Sequence, residues 1–147
     1  EHILDPLVIS FVNNFYIRQT ESGNFIMGQG DRDELPGLEI TPTWKFLKEM
    51  SDKMPRFFPF LRDVRILRHW AGLYNMSPDA QPIIDRSNEV EDFYFAIGFS
   101  GHGFMLAPAV GEALAEWIVF GEPRSVDISN LSLQRFERGF TREKNVV

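Results

Sequence analysis

The most constraining stretch of the sequence is Gly98-Phe99-Ser100-Gly101-His102-Gly103. An unbroken apolar run, Phe93-Tyr94-Phe95-Ala96-Ile97, leads into it, and a segment with an apolar face leads out. The run predicts a strand buried on both faces. The segment beyond predicts a helix with Val110, Leu114, Trp117 and Ile118 as its stripe, closed by Gly121 as a left-handed cap, with Pro123 just after. Pro108 lacks an N–H and belongs in a first turn, which sets the helix start near Met105. Three glycines in six residues let a ligand approach the backbone closely. Free N–H groups and the positive end of the helix dipole then point at the occupant. An anion, or a group that becomes anionic during a reaction, suits that place. A turn that needs glycine for its geometry alone suits it as well.

The rest of the chain reads as mixed strand and helix. Val8 to Tyr16 predicts strand, and Phe15 to Gly28 predicts a β-hairpin turning at Glu21-Ser22-Gly23-Asn24. A polar connection, 28–37, follows. Thr41-Pro42 supplies a hydroxyl cap and a proline for a helix start. Trp44, Leu47, Met50 and Met54 share one face of the helix, and Pro55 is expected to end it. The apolar stretch Phe57 to Leu61 is expected to pack beneath that helix. Asp63 to Tyr74 predicts a further strand, Asn75 to Asp79 a turn, and Pro82 to Asp85 a short extended piece. A last short helix is expected from Ser132 to Arg138, stopped by Gly139.

Composition narrows the function. Fourteen Phe, three Tyr and three Trp in 147 residues argue for a packed core rather than disorder. There are no cysteines, so disulfides, thiolate metal sites and cysteinyl cofactor links are excluded. Net charge is −6 without a basic cluster, which argues against nucleic acid. The sequence opens without an initiator Met or a secretory signal, consistent with a processed chain or a piece of a longer one. The weakly polar stretch Phe93–Val119 is broken by His102, Pro108, Glu112 and Glu116, so no membrane span is expected. A cytoplasmic location is expected.

Several familiar sites are absent. Gly28-Gln29-Gly30 begins like a dinucleotide fingerprint, but Asp33 stands where the third glycine is needed and Asp31 would repel phosphate. Ser100 lacks a nucleophile elbow, because position 102 is His rather than Gly. The three histidines lie apart, so no metal site is expected. His102 could carry a proton near neutral pH or simply pack against its loop. Tyr74 could set its hydroxyl on a ligand or serve as core. Arg18 could bind a carboxylate or face solvent.

These residues resemble a known family. Gly98-Phe99-Ser100-Gly101-His102-Gly103-Phe104, with Ala107-Pro108 and Gly111, resembles the C-terminal flavin motif of the FAD-dependent amine oxidoreductases of the D-amino-acid oxidase superfamily. Trp70-Ala71-Gly72-Leu73-Tyr74, Ser77-Pro78-Asp79 and Pro82-Ile83-Ile84-Asp85 resemble the stretch before that motif. Phe15 to Thr20, Gly23 and Phe25 to Gly28 resemble a hairpin of the substrate domain. The likeness is greatest to the β subunit of heteromeric sarcosine oxidase and to the L-proline dehydrogenase subunit.

The resemblance implies an α+β fold: an antiparallel sheet covered by a helix, and a C-terminal strand-loop-helix that belongs to the FAD domain. Residues 1–90 would be part of the substrate-binding domain and residues 91–147 the segment returning to the FAD-binding domain. The N-terminal dinucleotide-binding unit of the family would be missing, so the chain alone should be inactive and hold FAD weakly. The implied function is oxidation of an amino acid or N-methyl amino acid, sarcosine-like or proline-like, by hydride transfer to FAD. The backbone of Gly101, His102, Gly103, Phe104 and Met105 would line the pyrimidine side of the flavin, where the helix dipole stabilises negative charge on reduction. Gly72 and Leu73 would lie by the ring. Tyr74 and His102 would face the reaction, His102 as a wall rather than an essential base. Tyr74 and Arg18 would face substrate.

Departures from the family sharpen these expectations. Gly72 stands about where monomeric sarcosine oxidases link the flavin to Cys, so FAD is expected to be non-covalent. Met105 replaces their carboxylate-binding Lys, and the Arg that glycine oxidase carries near Tyr74 is absent. The strand Phe25-Ile26-Met27 lacks the Lys that assists oxygen activation, which favours a dehydrogenase. Expected partners are the amino-acid substrate, the missing part of the same protein, other oxidoreductase subunits, and a second copy docked through apolar surface. The alternative is a non-catalytic interaction or scaffold domain derived from the same fold.

Overall fold

The computed structural model describes residues 2–31 and 33–140, and the chain divides after Leu73 into two compact units. The first unit is built on a three-stranded antiparallel sheet in the order β1-β2-β3, with β1 at Val8–Ser10, β2 at Phe15–Gln19 and β3 at Phe25–Gly28. The expected hairpin is present, with Tyr16 opposite Gly28 and Gln19 opposite Phe25. Its turn is closed by the Gly23 N–H donating to the Thr20 carbonyl at 2.8 Å. The strand expected from Val8 to Tyr16 is two strands, because the chain reverses through Phe11–Asn14, with Asn14 at φ 50°.

Alternation along β2 decides what is buried. Phe15, Ile17 and Gln19 point inward, and Arg18 points out. Helix α1, Trp44–Phe57, lays Met50 and Met54 on Phe15 and Ile17, and Leu61 from a 3-10 turn at Pro59–Asp63 completes the cluster. The expected covering helix therefore sits on the expected sheet. Details differ. Thr43 rather than Thr41 caps α1, its hydroxyl accepting from the Phe46 N–H at 3.2 Å. Pro55 lies inside the helix instead of ending it. A proline removes one hydrogen bond, and here the helix closes three residues later with the Phe58 N–H on the Met54 carbonyl. Trp44 is 85% exposed rather than packed. Residues 64–73 form no regular strand, because nothing among the described residues pairs with them.

The second unit pairs β4, Ile83–Arg86, with β5, Tyr94–Ile97, in antiparallel register. Helix α2, Gly103–Phe120, follows, and a short helix α3 spans Arg135–Arg138. Ile84, Ala113 and Ile128 form the core, with Val110, Leu114 and Trp117 packed on it and Trp117 edge-on to Tyr94 at 5.6 Å. The strand expected to be buried on both faces is only half-buried: β5 is one of two strands, and it is β4 that buries Ile83 and Ile84. Gly121 caps α2 in the left-handed conformation as expected. The helix begins two residues before the expected start, so Pro108 lies inside it beyond the first turn where it was expected. By length and composition α2 would suffice to cross a membrane, although it carries Glu112 and Glu116. Only Ala113 of α2 is fully buried, and Ile118, expected in the stripe, is 60% exposed. The last helix is shorter than expected, four residues before Gly139.

Candidate functional site

The loop between β5 and α2 takes a backbone course that ordinary residues resist. Gly98 has φ 67°, Ser100 φ 51° and Gly101 φ 92°. Two of these positions also need the absence of a side chain. A Cβ on Gly98 would stand 3.1 Å from the Ser77 Cβ, and one on Gly101 would stand 3.0 Å from the Tyr74 ring. The loop is thus pressed against residues 74–77 on one side.

A polar network holds it there. The Asn75 carboxamide oxygen accepts from the Gly98 N–H at 2.7 Å, and the Asn75 carbonyl accepts from the Ser100 N–H at 3.0 Å. The Ser100 hydroxyl accepts from the Ser77 N–H at 3.2 Å and donates to the Gly98 carbonyl at 3.1 Å. The Ser77 hydroxyl proton lies between the Gln81 carbonyl at 2.6 Å and the Asp79 carboxylate at 3.1 Å. Asp79 also accepts the Gln81 N–H at 3.2 Å and is gripped by the Arg135 fork, Nε to Oδ2 at 2.6 Å and Nη2 to Oδ1 at 2.9 Å. The remaining Arg135 donors go to the carbonyls of Leu131, Ser132 and Gln81, so its guanidinium has five hydrogen bonds for its five N–H groups. The Asp79 side chain is 2% exposed, and the Arg135 hydrogen bonds, aided by the Gln81 N–H and the Ser77 hydroxyl, outweigh burial and hold its carboxyl at about 2.

On its other side the loop opens α2. His102 occupies the cap position, no side chain caps the helix, and its first turn carries no acidic residue. The N–H groups of Gly103, Phe104 and Met105 begin the helix, where no earlier turn can accept them. Phe104 is 97% and Met105 64% exposed, and His102 is half-buried. Among the described residues this is a positive helix end with neither a capping side chain nor an acidic residue in its first turn. An electron-rich, hydrogen-bond-accepting ring edge such as that of a flavin fits such a donor set.

The residues singled out from sequence fall as follows. Tyr74 stacks on Gly101, and Gly101 through Met105 form one continuous mouth. Gly72 and Leu73 close the first unit in its irregular segment, with open space around Gly72. Arg18 is exposed on β2 of that unit. Sequence reasoning missed the roles of Asn75, Ser77, Ser100 and above all Arg135. Ser77-Pro78-Asp79 was visible as a block, but nothing near Arg135 in sequence points to a carboxylate 56 positions away.

Comparison with known proteins agrees with this architecture. The profile of the family described as FAD dependent oxidoreductase matches residues 2–117. Sarcosine oxidase subunit beta of Rhizobium meliloti is 31% identical over 93% of the chain, and the chain spans 32% of that protein. The 4-methylaminobutanoate oxidase (formaldehyde-forming) of Paenarthrobacter nicotinovorans is 28% identical over 89% of the chain, which spans 17% of it. Among solved structures, the L-proline dehydrogenase from P. horikoshii superposes with a TM-score of 0.87 at 45% identity, over 94% of this chain and 37% of that one. The α+β fold matches that of the L-proline dehydrogenase, and the chain belongs to the family of FAD-dependent oxidoreductases.

Proposed function

We propose that the chain is the C-terminal part of a flavoenzyme that oxidises an amino acid or N-methyl amino acid, with sarcosine-like and proline-like substrates foremost. The observation that carries this reading is the uncapped, acid-free start of α2 at the end of a glycine loop. Residues 1–90 contribute to the substrate domain and residues 91–147 return to the FAD domain, which lies in the missing part. Support comes from coverage of only 32% and 37% of the relatives. It comes also from α2, whose apolar surface is left exposed among the described residues. That surface docks on protein rather than lipid. Helix α2 also carries two carboxylates that a lipid-facing rod would not hold, and Glu116 turns back on its own chain to accept the N–H groups of Arg124 and Ser125 at 2.6 and 2.8 Å.

FAD, when bound, supplies a two-electron acceptor for hydride leaving the carbon beside the amine nitrogen. The amides of Gly101, Gly103, Phe104 and Met105 would hold its pyrimidine edge and favour negative charge there, with the His102 N–H donated instead to the Phe99 carbonyl at 2.9 Å and His102 lining the edge by its backbone. Gly72 and Leu73 would lie by the ring, and with no side chain at position 72 no covalent link would form there. Tyr74, fixed against Gly101, orients the substrate, His102 walls the site, and Arg18 offers a cation for the substrate carboxylate. The relatives named as β subunits favour further oxidoreductase subunits as partners, and the missing Lys on β3 favours a dehydrogenase.

Anaerobic titration of the whole protein with sarcosine and with proline tests the reading. Amine-dependent bleaching of bound FAD is expected. Bound FAD that no amine bleaches would favour a non-catalytic scaffold. Tight stoichiometric FAD retention by the 147-residue chain alone would overturn the missing FAD domain.

A further inference from the structure

We propose that Arg135 is a positioning residue for the flavin, acting at a distance through Asp79, Ser77 and Ser100 on the loop that opens α2. The inference rests on the reading above and adds a residue outside the stretch matched to the family, which ends at residue 117. The chain of contacts is continuous. Arg135 grips Asp79 with two bonds and the Gln81 carbonyl with a third. Asp79 and the Gln81 carbonyl share the Ser77 hydroxyl. The Ser77 N–H fixes the Ser100 hydroxyl, and Ser100 is the non-glycine residue of the loop held at positive φ.

Such a conformation is disfavoured for a residue with a Cβ and persists only where surroundings impose it. Here the surroundings are polar. Ser77, Asp79 and Ser100 are each at most 6% exposed, and every bond among them is directional. A Cβ at Gly98 would crowd Ser77, so the loop backbone runs close beside residue 77. Arg135 also draws the carbonyls of Leu131 and Ser132 into the same knot. Removing its fork leaves a buried carboxylate half-satisfied and frees the 77–81 turn. Ser100 then loses the partner that sets its hydroxyl, and the N–H groups of Gly101, Gly103, Phe104 and Met105 lose their fixed aim.

The whole flavoprotein, as wild type, Arg135→Gln, Arg135→Lys and Glu116→Ala, distinguishes this role from a merely structural one. Two quantities are read: the midpoint potential of the bound FAD, and hydrogen exchange at residues 98–103. In Arg135→Gln the preference for reduced over oxidised flavin is expected to fall about tenfold, a potential ~30 mV lower for a two-electron couple. Exchange at residues 98–103 should rise at least tenfold. Arg135→Lys, which keeps the charge but not the fork, should restore part of both and carries the test if the glutamine variant does not fold. Glu116→Ala removes an acceptor for the 124–125 backbone and should leave both readings unchanged. Unchanged exchange and potential in a folded Arg135 variant would overturn the proposal, as would an equal effect from Glu116→Ala. If the wild-type protein holds no FAD, the functional reading fails, and the exchange measurement alone still decides the relay.

Discussion

The two units bury different chemistry. The first hides Phe15, Ile17, Met50, Met54 and Leu61, a mostly nonpolar wedge between sheet and helix. The second has a smaller apolar core, Ile84, Ala113 and Ile128, and beside it buries Ser77, Asp79 and Ser100 with an arginine fork. Apolar packing is tolerant of small displacements and indifferent to pH, whereas a hydrogen-bonded knot fixes direction and depends on charge. The difference teaches where exact orientation is needed. The unit that carries the glycine loop is the one that orders its backbone around a buried charged pair.

Substitutions should break the two regions in different ways. Asp79→Ala leaves the Arg135 guanidinium buried without its carboxylate and should cost about 3–5 kcal/mol. Hydrogen exchange should report that loss in residues 75–101. Ile17→Ala deletes fully buried methyl groups and should cost about 3 kcal/mol, read as faster exchange in β2 and α1. A cost near zero for Asp79→Ala would erase the contrast. Acid should separate the regions more gently. The Asp79 carboxyl is held at about 2, below its ordinary 3.8, so the unfolded chain binds the proton first. The stabilisation is present above about pH 4–5 and is lost as the pH falls to about 2, at most about 2 kcal/mol. Asp79→Asn should flatten that dependence in the second unit. Smallest of all, Lys48→Ala removes the exposed 2.6 Å pair with Asp52 on α1 and should not shift thermal unfolding measurably.

What could be read from the residues follows the same division. The hairpin, the covering helix and the helix after the glycines were legible because period, turn chemistry and caps are local signals. Thr43 over Thr41 was not legible, since both threonines offer a capping hydroxyl, and neither was the passage of α1 through Pro55. Residues 64–73 look like a strand by composition, yet a strand also needs a partner, and propensity cannot supply one. Gly101 and its neighbours stood out by glycine spacing and family likeness. The knot that holds them did not, since Asp79 and Arg135 meet only after the chain has passed through β4, β5 and α2.

Eighteen consecutive residues of α2 shelter a single side chain completely. Until some other surface arrives to cover it, that rod is the place where newly made copies would adhere to one another or to chaperones.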